Sequence, residues 1–229
     1  MSQTQAGVGQ YDEGLRAYML GVYNYMAMAM GITGLVAYLT SSSPALLNVI
    51  YGSPLQWVVM LAPLGFVFFL SARVHKMAAS TAQITFWIFA AVMGLSLAYI
   101  FLAYTGASVA RMFFITAGAF AGLSLLGYTT KKNLSGMGTF LFMGLIGVII
   151  AMVVNIFLAS PALQFVISVV GVLVFAGLTA YDTQQIKNMY HAADSGEVAT
   201  KKSIMGALRL YLDFLNLFLF LLHLFGNRN

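Results

Sequence analysis

The fold of this chain follows from two stretches of its sequence, GVLVFAGLTAYD at residues 171–182 and IMGALRLYLDFLNLFLFLLHLF at residues 204–225. Each belongs to an apolar run typical of a membrane-spanning helix, and each run contains one carboxylate, Asp182 or Asp213. A carboxylate at such depth costs roughly 3 kcal/mol unless it is paired or hydrated. We therefore treat the two acids as the candidate functional site and the rest of the chain as its scaffold.

The composition is that of an integral membrane protein. Of the 229 residues, 61% are hydrophobic and 7% are charged, whereas a soluble domain carries about 25% charged residues. The length suffices for about seven spans of roughly 20 residues each. Because the Lys and Arg residues are scattered over short loops, we expect no nucleic-acid partner. The sequence predicts an all-α membrane protein, a seven-transmembrane helix bundle embedded in the lipid bilayer.

Pro, Ser and charged residues mark the boundaries of the predicted spans. A single seven-helix domain is expected over residues 17–226, between a polar N-terminal tail of residues 1–16, with Asp12 and Glu13, and a short tail of residues 227–229. A small-xxx-small pattern, Gly118-Ala119-Phe120-Ala121-Gly122, is interpreted as a packing surface of the fourth span. The predicted spans are Leu20–Thr40, Leu55–Ala72, Ala82–Ala103, Ser108–Tyr128, Met137–Leu158, Ala162–Ile186 and Ile204–Phe225.

The distribution of basic residues predicts the orientation of the chain. Cytoplasmic loops of membrane proteins carry an excess of Lys and Arg. With the N-terminus in the cytoplasm, Arg111 and Arg228 lie outside, Arg209 lies within the last span, and the other eight lie inside. These eight are Arg16, Arg73, Lys76, Lys131, Lys132, Lys187, Lys201 and Lys202. We therefore predict a cytoplasmic N-terminus and a C-terminus outside.

Asp182 and Asp213 lie in the cytoplasmic halves of the sixth and seventh predicted spans. Helices joined by a short loop are commonly neighbours, so contact between the two acids is feasible. Two carboxylates that share a low-dielectric site do not ionise independently and titrate as a coupled unit. Such a unit can act as a proton switch near neutral pH. When both acids are ionised, the site favours a hard cation such as Ca²⁺, which prefers oxygen ligands.

Two arginines are candidate partners of the acids. Arg209 precedes Asp213 by four residues, on the same face of a helix. Arg73 ends the second span at the same membrane face and can compete for Asp182, which would form a two-position latch. Purely structural roles remain open at this stage. Asp182 can be hydrated near its helix end, and Asp213 can form an ion pair with Arg209 alone.

Other chemistry is limited by the residues present. The chain has no cysteine, which excludes disulfides, thiol nucleophiles and Cys-ligated metals. His75 and His191 fall in predicted loops and His223 near a helix end, a spacing that gives no metal-ligand set. We expect no cofactor, and calcium only as a transported or transiently bound ion at Asp182 and Asp213.

The chain resembles the transmembrane Bax inhibitor motif family over nearly its whole length. The resemblance rests on the predicted spans, the Gly-rich fourth and fifth among them, and on Tyr181-Asp182-Thr183-Gln184 and Tyr211-Leu212-Asp213. It implies a pH-sensitive Ca²⁺ leak with a di-aspartyl sensor on the sixth and seventh helices, as in bacterial members. Asp182 and Asp213 match the sensor positions, and Arg73 matches an Arg latch.

Two departures from the family pattern bear on this expectation. The second span lacks the acidic residue that some members carry there. The sequence also lacks the Lys-rich C-terminal tail of endoplasmic-reticulum members, which favours a bacterial inner membrane.

Two other functions are weighed. One is a non-conducting regulator that binds other membrane proteins. The other is an intramembrane aspartyl protease, but that class requires Gly-x-Gly-Asp around its second acid, where this chain has Tyr211-Leu212-Asp213. We therefore expect a non-enzymatic protein whose partners are Ca²⁺ ions and protons, with membrane proteins as further partners.

Overall fold

The structure, a computed structural model, describes the backbone of residues 2–229 and the side chains of residues 13–229. Met1 and the side chains of residues 2–12, including Asp12 of the predicted tail, lie outside the described residues. The regular structure of the described backbone is helical, with a 3₁₀ turn at Val74–Lys76. The helices are α1 Ser2–Ser41, α2 Pro44–Tyr51, α3 Leu55–Arg73, α4 Ala79–Leu97, α5 Ile100–Ala103, α6 Gly106–Thr129, α7 Ser135–Leu158, α8 Pro161–Asn188 and α9 Gly196–Phe225.

Over the described part of the chain, seven segments are long and apolar enough to cross a membrane. This confirms the predicted all-α fold and the number of spans, whereas the orientation stays a prediction. The first and last spans begin earlier than predicted, at Glu13 rather than Leu20 and at Gly196 rather than Ile204, because the polar turns before their apolar runs are also helical. The segments are Glu13–Ser41, Leu55–Lys76, Ala79–Ala103, Gly106–Thr129, Ser135–Leu158, Pro161–Asn188 and Gly196–Phe225.

A short helix that the sequence analysis did not predict, α2, connects the first two spans. Ser43 caps its N-terminus by accepting a hydrogen bond from the Leu46 backbone N–H at 3.4 Å. Pro44 follows at the first helical position, where its fixed φ is favourable. Ser43-Pro44 and Ser53-Pro54 therefore border a short helix between the first two spans.

The chain divides into two compact units. The first contains residues 1–103 and 189–211, and in it α4 packs against both α1 and α3. Thr33 of α1 donates a hydrogen bond to the Ala90 carbonyl of α4 at 2.8 Å. The same hydroxyl accepts one from the Tyr211 phenol at 2.6 Å. Tyr211 is fully buried with its ring against Phe86 and Phe89.

The second unit contains residues 104–188 and 212–229, and in it α8 packs against α6 and α7. Its apolar core includes the second half of α9 and is formed by Leu141, Val148, Ile167, Val174, Phe175, Leu178, Leu217 and Phe220.

Glycine permits the closest approach of α6 to α8. A Cβ atom at Gly127 would lie within van der Waals overlap of the Ala180 backbone, 2.9 Å from its carbonyl carbon. In contrast, no described residue lies within 4 Å of a Cβ built on Gly118 or Gly122, and both glycines are exposed. These two glycines therefore make no close helix contact within the described part of the chain, and the interpretation of the pattern as a packing surface stays a prediction for contacts with other helices. Gly127, outside that pattern, makes the close helix contact.

Candidate functional site

Both acids are buried in the second unit. Asp182 lies on α8 and is 9% exposed, and Asp213 lies on the second half of α9 and is 4% exposed. The next residue along the chain is also buried in each case, Thr183 after Asp182 and Phe214 after Asp213. Both carboxylates are therefore inside the protein rather than at its surface.

The register of α8 against α9 follows from their apolar contacts. The rings of Phe175 on α8 and Phe220 on α9 pack with their centroids 5.9 Å apart. Asp182 follows Phe175 by seven residues, and Asp213 precedes Phe220 by seven. Seven residues make about two helical turns, or roughly 10 Å, and return to nearly the same face. Since the two helices run in opposite directions, both carboxylates lie at the same level, on the faces that the phenylalanines share.

Polar side chains surround Asp182 on α8. Thr179 and Thr183 are both fully buried. Thr183 donates to the Thr179 carbonyl at 2.7 Å and accepts a hydrogen bond from Ser124 of α6 at 2.9 Å. A layer of hydroxyl groups therefore joins α6 to α8 at the depth of the acid.

Gln184 fixes the loop between α6 and α7 next to Asp182. Its Oε1 accepts from the Leu134 backbone N–H at 2.8 Å, and its Nε2 donates to the Lys132 carbonyl at 2.8 Å. Lys187, one turn further on, donates to the Tyr128 carbonyl at 2.8 Å and lies 4.9 Å from the centre of the Tyr128 ring. These contacts hold the end of α8 against the end of α6.

Aromatic residues pack beside Asp213. Phe214 is buried and its ring contacts Phe113 and Phe120 of α6, with centroid distances of 5.4 and 5.5 Å. Asn216 bonds within its own helix, donating to the Leu212 carbonyl at 2.8 Å. The residue after Asp213 thus packs among aromatic rings of α6, whereas the residue after Asp182 joins the hydroxyl groups of α6 and α8.

Arg73 and Arg209 belong to the first unit, and both side chains are exposed. Arg73 is the last residue of α3, and Arg209 lies one turn before Asp213 along α9. Their roles as a latch and as an ion-pair partner stay predictions.

Asp194, just before α9, and Glu197, in its first turn, differ from the buried pair. Asp194 accepts a hydrogen bond from Lys202 at 2.6 Å, and Lys202 also donates to the Met189 carbonyl at 2.9 Å. Glu197 lies 3.5 Å from Lys201, with an exposed side chain. Lys202 therefore holds Asp194 and Met189 of the preceding loop to α9, whereas Glu197 and Lys201 form an ion pair within α9.

The chemical capacity of the buried pair follows from its composition. Among the described side chains, no group of three or more His, Asp or Glu residues is close enough to hold a metal ion together. Two carboxylates alone can hold one proton between them or interact with a hydrated cation, which keeps most of its oxygen ligands as water.

Gln184 and Ser124 are not among the site residues predicted from the sequence. A buried amide or hydroxyl in an apolar helix is a visible signal that a hydrogen-bond partner exists. The identity of that partner depends on which helix lies opposite, which the sequence does not specify.

Comparisons with known proteins agree with this architecture. The family model described as inhibitor of apoptosis-promoting Bax1 (Bax1-I) matches residues 15–229. The uncharacterized protein RP147 of Rickettsia prowazekii is 49% identical over 218 residues, covering 95% of this chain and 92% of that protein. Inner membrane protein YbhL of Escherichia coli is 45% identical over 218 residues, covering 94% and 93%. An uncharacterized protein of Caulobacter vibrioides is 49% identical over 226 residues, covering 94% and 90%. The chain is therefore a multi-pass integral membrane protein that belongs to the Bax1-I family.

Proposed function

We propose that the protein is a pH-sensitive calcium leak of the bacterial inner membrane, regulated by a proton shared between Asp182 and Asp213. The observation that carries the proposal is the burial of both acids at one level of the α8–α9 pair. The inner-membrane location is supported by the name of the relative YbhL.

The charge of the pair provides the switch. With one shared proton, the two carboxyl groups hydrogen-bond to each other and hold α8 to α9. When that proton leaves, two buried negative charges repel each other and attract cations. The helix contact and the affinity for Ca²⁺ therefore change over the same pH interval. Arg73 and Arg209 are proposed to neutralise the ionised pair in turn.

A flux assay tests the proposal. The full-length protein is reconstituted in liposomes that contain a calcium-sensitive dye, and Ca²⁺ entry is measured from pH 5 to pH 9. We expect the wild-type flux to change with pH, and D182N or D213N to flatten that change because neither variant can share a proton between two carboxylates. E197Q is the matched control, since Glu197 begins the same helix but is exposed.

Equal fluxes in the wild type, both Asn variants and empty liposomes would contradict the leak. A pH dependence that E197Q removes as fully as D213N would contradict the assignment of the switch to the buried pair.

A non-conducting regulator is the second candidate function, because the family description names a protein that is inhibited. The exposed face of α6 around Gly118 and Gly122 is the surface on which another helix could pack closely. Because the chain has no cysteine, a single A119C variant allows specific cross-linking at this face. If this function is correct, A119C should cross-link to another membrane protein. The signal of the calcium-sensitive dye in the flux assay should then stay unchanged at every pH.

The intramembrane protease is the third candidate. Cleavage of a membrane-anchored reporter by the wild type, lost in D213N, would support it over the leak.

A further inference from the structure

A cavity of about 380 Å³ lies in the second unit, at the end of α8 opposite to Asp182. Its walls come from the end of α7, the first turns of α8 and the end of α9. About 32 Å of helix separates Pro161, at this cavity, from Asp182. The cavity is therefore distinct from the acidic pair. The polar side chains among its lining residues are Asn155, Ser160, Gln164, Ser168, His223 and Arg228.

The charge of the cavity selects an anion. Arg228 contributes a permanent positive charge, and none of the described lining residues is acidic. Over residues 104–188 and 212–229 the acidic side chains of the sequence are Asp182 and Asp213, and both lie far from this end. An anion here meets the guanidinium group of Arg228, and no acidic side chain of the described lining competes for it.

The amide groups of the wall are ordered for donation. Asn155 Oδ1 accepts from the Ser160 backbone N–H at 3.0 Å, and its Nδ2 donates to Gln164 Oε1 at 3.2 Å. Gln164 is thus oriented with its oxygen toward Asn155. Within the described residues, the Gln164 Nε2 group donates no hydrogen bond. Both of its N–H groups are therefore available to a ligand.

Arg228 is positioned by the backbone of the last residues. A β-bridge joins it to Tyr104, and the Thr105 N–H donates to the Asn227 carbonyl at 3.1 Å. The Asn227 N–H donates to Ser108 Oγ at 2.9 Å. The guanidinium carbon lies 5.8 Å from the centre of the Tyr104 ring, within the range of a cation–π contact. These contacts fix the backbone of Arg228, and its exposed side chain is accessible to an anion.

The surroundings of the cavity indicate the source of the anion. Three exposed phenylalanines lie at or near the cavity. Phe165 lines it, and Phe157 and Phe225 are within two residues of lining residues along the chain; their exposed fractions are 61%, 84% and 64%. These apolar side chains are suited to acyl chains, and the volume lies in the range of small-molecule sites rather than that of a single inorganic ion.

We propose that this cavity binds a phosphate group, supplied by an anionic phospholipid headgroup, through Arg228 and Gln164. Under the predicted orientation the lipid belongs to the outer leaflet. Binding here does not depend on the leak, so the two proposals succeed or fail separately.

Ligand-dependent thermal unfolding of the full-length protein in a neutral detergent tests this site. The probes are dihexanoyl phosphatidylglycerol, glycerol 3-phosphate, inorganic phosphate and, as the compound without phosphate, dihexanoylglycerol. We expect phosphatidylglycerol to raise the Tm in a saturable manner. R228Q should weaken its apparent affinity about tenfold or more, since a charge-assisted hydrogen bond is lost. R111Q is the matched control, because Arg111 is an exposed arginine of α6 outside the cavity.

The probes distinguish the sources of the phosphate. Stronger binding of phosphatidylglycerol than of the two soluble phosphates supports a lipid site, and equal binding supports a site for free phosphate compounds. If R228Q does not fold, the same measurement is made on Q164L, and we expect that variant to bind the phosphate probes more weakly than the wild type. The proposal is overturned if phosphatidylglycerol raises the Tm no more than dihexanoylglycerol does. It is also overturned if R111Q and R228Q weaken the apparent affinity for phosphatidylglycerol equally.

Discussion

At the scale of the residue, Gln184 shows how a single buried amide determines the geometry beside the acidic pair. It is 7% exposed and spans the loop between α6 and α7 with two hydrogen bonds. The neighbouring Gln185 donates a longer bond of 3.3 Å to Ser135 Oγ and is less buried. The two glutamines therefore differ in structural importance although they are adjacent.

We predict that Q184L lowers the free energy of unfolding by about 1–3 kcal/mol, because it leaves the Leu134 N–H and the Lys132 carbonyl without their partner. Q185L should change it by less than about 0.5 kcal/mol. Denaturant titration of the purified protein in detergent measures both. Equal stability of the two variants would contradict the role of Gln184.

Gly127 is a second residue at which the side chain decides packing. G127A places a Cβ against the Ala180 backbone, so α6 must move away from α8, and we expect a loss of about 1–3 kcal/mol. G118A, in open space on the same helix, should be neutral or stabilising by up to about 1 kcal/mol. Thermal unfolding of the two variants measures this difference in stability.

Because Ala180 lies two residues before Asp182, G127A should also shift the pH profile of Ca²⁺ flux, and G118A should not.

At the scale of the element, α9 combines two environments. Its first half belongs to the first unit, where Tyr211 bonds to Thr33, and its second half belongs to the second unit, where Asp213 and Phe220 lie. Of the described spans, α9 has the most buried residues and α7 the fewest. A helix buried to this degree tolerates polar groups only where each has a partner.

We predict that Y211F destabilises the protein by about 1 kcal/mol, because Thr33 loses the hydrogen bond from the phenol. The exposed Tyr38 provides the matched control, Y38F. A double-mutant cycle with T33V identifies the interaction, since Y211F should have a smaller effect when Val replaces Thr33. Additive effects of Y211F and T33V would show that the bond contributes nothing to stability.

At the scale of the whole molecule, the distribution of Lys and Arg determines the expected orientation in the membrane. Since the chain contains no cysteine, single-cysteine variants report accessibility without background. Asn133, between α6 and α7, and Asn227, after α9, are both exposed and serve as the two positions.

We predict that a membrane-impermeant maleimide labels N227C in intact spheroplasts and labels N133C only after permeabilisation. Denatured samples of both variants control for expression and reactivity. The reverse pattern would place the eight basic residues outside and refute the orientation.

Composition and the order of residues were enough to predict the class of protein, the number of spans and the two acids within apolar runs. Those properties depend on segment length and on the position of charges along the chain, which are local. The sequence also contained Gln184 and Gly127, but it did not show that these two residues, rather than Gln185 and Gly118, make the buried contacts.

The similar depth of Asp182 and Asp213 already followed from their positions in the predicted spans. The folded structure adds the contact of Phe175 with Phe220, which sets the faces that α8 and α9 share, and the choice of Gly127 over Gly118 for the close contact. The physical reason is that these helices are apolar on all sides, because lipid and protein neighbours both accept apolar side chains. Such a pattern predicts that a helix crosses the membrane, but it does not specify which face meets which neighbour.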